Sequence, residues 1–109
     1  MAVATAKEVF DVHMPQRLAN KPDLAEKINA IYKFVVTGDG GGTWLVDLKA
    51  PPGKISQGDG TANTTITVGA KEFVDIVNGK MNAQMAFMTG KLKVAGDMGL
   101  AMKLTALLG

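Results

Sequence analysis

His13 is the only histidine and Ser56 the only serine among the 109 residues, and there is no cysteine. Nucleophilic chemistry would require those two side chains to meet, since a serine hydroxyl needs an adjacent base. Ser56 falls in a short expected strand and lacks the paired glycines of a nucleophile elbow. A single histidine without cysteine leaves no cluster for zinc, and the carboxylates do not fall at ligand spacing. Gly38-Asp39-Gly40-Gly41-Gly42 has the glycine density of a phosphate loop but is followed by strand-like residues and no Gly-Lys-Ser/Thr. It reads as a hairpin turn, where glycine supplies positive φ without steric cost. The residues therefore lead to the expectations of no enzyme activity, no metal and no cofactor.

The informative residues are apolar. Five of the seven methionines lie in one stretch: Met81, Met85, Met88, Met98 and Met102. Methionine is flexible and polarizable and adapts to irregular apolar shapes. Downstream of Asp97, Met98, Ala101 and Met102 share one helical stripe, with Leu100, Leu104, Leu107 and Leu108 on the neighbouring one. A helix this apolar must bury most of its circumference. On pattern alone two arrangements satisfy it. Both stripes can be ordinary core, or one can pack on a sheet while the other lines a cavity.

The elements that must position these residues can be read in order. Thr5-Ala6-Lys7-Glu8 has capping-box spacing and opens an amphipathic helix with Val9, Phe10 and Met14 inward. Pro15 must kink or restart it. Gln16 to Asn20 continues it, and Asp23 to Ile28 forms a second short helix. Ile31 to Thr37 and Thr43 to Lys49 pair as a hairpin, with Trp44, Val46 and Leu48 on one face; Leu45 interrupts the other face and implies partial cover there. Lys54 to Gln57 and Asn63 to Val68 add two strands. Their consecutive order suggests a meander or antiparallel sheet. From Ala70 the period becomes helical, with Phe73, Ile76 and Val77 at i, i+3 and i+4, ending at Gly79. Asn82 caps a helix from Ala83 to Thr89. Leu92 to Val94 is a fifth strand, and Asp97 caps a final helix from Met98 to Leu108.

Composition excludes several classes. Apolar residues make up 47% and charged residues 20%, with net charge +2. That is a globular balance, and the length fits one domain, residues 1–109. The few aromatics, Phe10, Tyr32, Phe34, Trp44, Phe73 and Phe87, are not joined to a basic stripe, so nucleic acid is not an expected partner. No apolar run approaches the ~20 residues of a membrane span. Neither an apolar leader at Met1 to Glu8 nor a Ser-Lys-Leu tail is present, which points to a cytoplasmic setting.

Several segments resemble the sterol carrier protein 2 (SCP-2) family. They are Thr43-Trp44-Leu45-Val46-Asp47-Leu48-Lys49, Thr64-Thr65-Ile66-Thr67-Val68, Gly79-Lys80-Met81-Asn82-Ala83-Gln84-Met85-Ala86-Phe87-Met88-Thr89-Gly90-Lys91-Leu92-Lys93-Val94, and Gly96-Asp97-Met98-Gly99-Leu100-Ala101-Met102-Lys103-Leu104. Ala83 stands where many members carry proline, and the Asn82 cap is kept. The resemblance implies an α+β fold in which a five-stranded, mostly antiparallel sheet is covered by helices, with an apolar tunnel between the layers. It implies a lipid carrier for fatty acids, fatty acyl-CoAs, sterols or phospholipids, or else an accessory module serving lipid-metabolising enzymes. It makes Met98, Ala101, Met102 and Thr105 candidates for one tunnel wall, with Met81, Gln84, Met85 and Met88 opposite and Phe34, Trp44 and Val46 from the sheet. Gln84 matches a family glutamine and is the candidate polar contact to a ligand head. The partners expected are a lipid ligand and a transiently touched membrane, with the chain a monomer or weak dimer.

Overall fold

A computed structural model describes residues 4–21, 23–49 and 53–103. Helix α1 (Ala6–Glu8) begins as its sequence predicts, with Thr5 Oγ1 accepting from the Glu8 N–H at 3.1 Å. A π-helical turn over Val9–His13 then leads into α2 (Met14–Asn20). Pro15 explains the turn. It has no N–H for the carbonyl one α-turn back. The chain widens just before it, so that the Met14 N–H bonds to the Val9 carbonyl five residues earlier. Helix α3 (Asp23–Ile28) follows.

The sheet comprises β1 (Ile31–Thr37), β2 (Gly42–Asp47), β3 (Lys54–Gln57), β4 (Thr64–Gly69) and β5 (Leu92–Gly96), in the order β3-β2-β1-β4-β5. Helix α4 (Ala70–Val77) and helix α5 (Ala83–Met88) join β4 to β5, and α6 (Met98–Ala101) follows β5. The expected final helix is described as far as Ala101. Residues 104 to 109, including Leu104, Thr105, Leu107 and Leu108, lie outside the described residues.

The sheet is not a meander. β4 lies beside β1 and parallel to it, while the other three pairings are antiparallel. The reason is the connection from Gly58 to Asn63, which crosses the outer face of the sheet. The Gly58 N–H bonds to the Thr43 carbonyl at 2.9 Å, and Lys33 Nζ meets Asp59 Oδ1 at 2.9 Å. Gly60 sits on Leu45 so closely that a β-carbon there would stand 2.6 Å from Leu45 Cδ1. The Asn63 N–H bonds to the Ile31 carbonyl, and Asn63 Oδ1 accepts from the Ile31 N–H, both at 2.9 Å. Those two hydrogen bonds set the start of β4 level with the start of β1. It also accounts for Leu45, whose apolar side chain is covered by the crossover.

The inner face carries Tyr32, Phe34 and Val36 of β1, Trp44 and Val46 of β2 with Leu48 just beyond, and Ile66 and Val68 of β4, all buried. The helices cover this face only. Phe10 is central: its ring stacks on Trp44 with centroids 4.5 Å apart and an interplanar angle of 13°, and on Phe73 at 5.3 Å. It also meets Phe34 at 5.3 Å. One ring thus joins the N-terminal helix, two strands and α4.

Phe10→Ala should cost about 3–5 kcal/mol, the usual range for emptying a buried phenylalanine site. Urea unfolding followed by the emission of Trp44, the sole tryptophan, measures both the loss and the changed surroundings of the indole.

Candidate functional site

The expected site residues divide between the interior and the surface. Phe34, Trp44 and Val46 lie buried on the inner face. Met81 is partly buried and packs against the core, as does Ala83 at the start of α5. Gln84, Met85 and Met88 are exposed, and so are Met98 and Met102. The Ala101 side chain and Thr105 lie outside the described part.

Local geometry explains the division. Asn82 Oδ1 caps α5 by accepting from the Gln84 N–H at 2.8 Å and the Met85 N–H at 3.3 Å. The helix then turns Ala86, 1% exposed, toward the sheet. Met88 and Gln84, two residues either side, must point away, because successive side chains step by ~100°. Asp97 Oδ1 caps α6 in the same way, accepting from Gly99 at 2.8 Å and Leu100 at 3.3 Å. Leu100 takes the inward position, which turns Met98 and Met102 outward. Exposures of 57% at Met85, 41% at Phe87, 71% at Met88, 48% at Met98 and 81% at Met102 follow. These methionines are exposed, whereas Phe34, Trp44 and Val46, expected on the facing wall, are buried.

Helix α6 is tied down by one buried bond. The Tyr32 hydroxyl donates to the Leu100 carbonyl. Burial pushes the phenol well above its ordinary value, and the Asp97 carboxylate adds to the shift. Beside it in register, Thr64 donates its hydroxyl to the Ala95 carbonyl at 3.3 Å. No buried side-chain polar atom lacks a partner among the described residues.

An open apolar cleft of about 390 Å³ lies between α2 and β3. Its lining is Phe10, Asp11, Pro15, Leu18, Ala19, Gly53 and Ile55. The volume falls within the range of small-molecule sites. Phe10 forms its inner wall, with Trp44 and Phe34 directly behind that ring. Ile55 is the register partner of Val46. Phe34, Trp44 and Val46 do not line the cleft themselves but lie behind Phe10 and Ile55, and its mouth is built by residues the sequence did not single out as a site. Phe10 and Leu18 could have been found: with Met14 they repeat at i, i+4, i+8 along one helix face. Gly53 and Ile55 carried no such signal.

His13 and Ser56 do not combine. Ser56 pairs with Leu45 on the outer face of the sheet, whereas the segment carrying His13 covers the inner face. Among the described residues, no group of three His, Asp or Glu side chains could hold a metal ion, and no helix is long and apolar enough to cross a membrane.

The model of the SCP-2 sterol transfer family matches residues 12–109. The chain belongs to that family. Peroxisomal multifunctional enzyme A of Dictyostelium discoideum is 44% identical over 106 residues, covering 94% of this chain. The chain spans only 24% of the length of that relative. The sterol carrier protein domain 2 of Helicoverpa armigera has the same fold, with a TM-score of 0.75 and 38% identity over 93% of this chain and 85% of that one. The palmitated SCP2L2 of Aedes aegypti aligns over 99% of this chain and 95% of its own, with a TM-score of 0.73 and 26% identity. The sheet-and-helix architecture expected from the resemblance is therefore present: a five-stranded mixed sheet with helices on one face.

The Tyr32 bond has a measurable pH signature. A phenol whose pKa is raised on folding keeps its proton in the native state after the unfolded state has lost it. Stability is then complete below the unfolded value and falls as pH rises past about 10. Thermal unfolding between about pH 8 and 11 should show this loss in the wild type. Tyr32→Phe should be about 1–2 kcal/mol less stable at neutral pH, through loss of one buried hydrogen bond, and should not share the alkaline component.

Proposed function

We propose that this chain is a non-enzymatic lipid carrier that holds the aliphatic part of a fatty acid, fatty acyl-CoA, sterol or phospholipid between its helical layer and its sheet. The observation that carries this reading is the apolar cleft between α2 and β3, backed by an aromatic wall. The palmitated Aedes aegypti protein supports it, because a long acyl chain is associated with the same fold there.

In this reading Leu18, Ala19 and Ile55 form the mouth and Phe10 the partition. Phe34, Trp44, Val46 and Met81 form the deep wall. The Phe10 ring separates the cleft from Trp44, so a chain longer than the cleft displaces that ring and reaches the indole. Burying apolar ligand surface drives binding. Each methylene removed from water contributes ~0.8 kcal/mol, on the order of 10 kcal/mol for a long chain. Association and ordering cost roughly 4–15 kcal/mol. At the low end of that cost a chain of about fifteen methylenes, worth ~12 kcal/mol, keeps about 8 kcal/mol, which corresponds to micromolar affinity. Selectivity is low, since apolar walls read little besides length and shape.

The absence of catalysis is part of the same proposal, and the separation of Ser56 from His13 by the sheet supports it. The chain acts as one domain, a monomer or weak dimer. Its partners are the lipid and, transiently, a membrane, without nucleic acid. The cysteine-free composition suits a reducing compartment, for which we propose the cytoplasm. A second reading is a module that presents lipid to an enzyme of lipid metabolism. The similarity to one quarter of a multifunctional enzyme supports it.

A fluorescent long-chain fatty acid titrated against the purified chain should bind with micromolar affinity and perturb Trp44 emission. Ala19 is exposed at the cleft mouth, so Ala19→Phe should weaken binding about tenfold by occupying apolar contact surface. Its unfolding temperature should stay unchanged. Equal affinity in the two proteins would place the ligand outside this cleft.

A further inference from the structure

We propose that Asp11 selects the polar head of the ligand, so that the cleft between α2 and β3 favours long-chain amines over long-chain carboxylates. The proposal rests on the carrier reading and names the ligand class that the same cleft prefers. Among the described lining residues, Phe10, Pro15, Leu18, Ala19, Gly53 and Ile55 have no polar side-chain atom. Asp11 is the exception. An ionised carboxylate accepts hydrogen bonds and donates none. Pro15, on the same helical wall, lacks even a backbone N–H. The side chains of the cleft thus offer one acceptor group and no donor. A carboxylate head finds no side-chain donor here and meets a like charge. An ammonium head brings donors and the opposite charge to the Asp11 oxygens.

The rest of the inner layer supplies no competing place for a head. Tyr32 and Thr64 donate their hydroxyls to the Leu100 and Ala95 carbonyls, and no buried side-chain polar atom among the described residues is left without a partner. Asp11 is placed differently. Its side chain is 53% exposed, and Lys7 Nζ stands 3.7 Å from its Oδ2. An exposed pair at that separation is weak, and a carboxylate has further lone pairs, so Asp11 can accept again. Lys7, Arg17, Lys21 and Lys54 are near in sequence, yet none of them lines the cleft. Lys54 points to the opposite side of the sheet from Ile55, as successive strand residues must. The protein as a whole carries a net charge of +2. Its long-range field therefore attracts anionic ligands, and a preference for amines can arise only from the local carboxylate.

The test is displacement of a fluorescent fatty acid from the full chain by dodecylamine and by dodecanoate, two probes of matched chain length and opposite head charge. At low salt the amine should bind about fivefold more tightly, attraction of one head and repulsion of the other each contributing roughly twofold to threefold at an exposed site. Added salt should shrink that ratio. Asp11→Asn should bring the ratio to one or below, because only the positive field of the protein remains. Asp11→Lys should reverse the preference outright. Lys7→Gln, outside the cleft, should raise the ratio by about twofold by removing the competing cation. Equal affinities in the wild type, or a preference for dodecanoate, overturn the proposal. So does an amine preference that survives Asp11→Asn. Should the Asp11 variants fail to fold, an unchanged ratio in Lys7→Gln has the same force. If neither probe nor the fluorescent fatty acid binds, the carrier reading itself falls; if both probes bind alike, only the head-group selection does.

Discussion

The packing of the Phe10 ring against Trp44, Phe34 and Phe73 is the contact on which the rest of the structure depends. Helices cover only one face of this sheet, so the inner face must be dried by very few side chains. Phe10 supplies the largest share from the N-terminal segment. The π-helical turn around it follows from Pro15, and the rigid helix geometry upstream of Pro15 delivers the ring to the sheet. Removing water from four aromatic rings at once concentrates the hydrophobic term at one point. A chain of 109 residues needs such concentration, because small domains bury a modest fraction of their surface.

The same arrangement creates the proposed site. Phe10 fills the centre of the inner face but does not extend to the β3 edge, where α2 and Ile55 leave an apolar cleft. A ring held by stacking and dispersion can be exchanged for an aliphatic chain making similar contacts, at little net cost in buried area. Core and ligand space are thus adjacent and separated by one side chain. At the other end of the layer, the chemistry is polar and fixed. Tyr32 and Thr64 spend their hydroxyls on the carbonyls of Leu100 and Ala95, which anchors α6 and leaves no buried polar group there to meet a ligand head.

Helices α5 and α6 show how short helices divide their residues. Among their described residues the fully buried positions are Ala86 in α5 and Leu100 in α6, with Ala83 partly buried. Met85, Phe87, Met88, Met98 and Met102 stand outside, where surfaces ordinarily carry polar residues.

Much of the fold was legible in the chain. Thr5, Asn82 and Asp97 cap the helices their spacing predicts, because capping is a local bond between neighbours. The strands β1 and β3 match their expected bounds, since alternation and β-branching are local too, and the partial cover of Leu45 was foreshadowed by its break in the polar face. The family could be read from the Gly79 to Leu104 run, which is dense in matching residues. Tertiary structure alone decided the parallel placement of β4 beside β1, through the pairing of Asn63 with Ile31 across 32 positions. It also decided which methionines face inward. Helical period places Met98 and Met102 on one stripe but cannot say whether that stripe or the Leu100 stripe meets the sheet. That choice belongs to the Tyr32 hydroxyl, which fixes α6 by a contact spanning 68 positions, and no local pattern encodes a bond of that range.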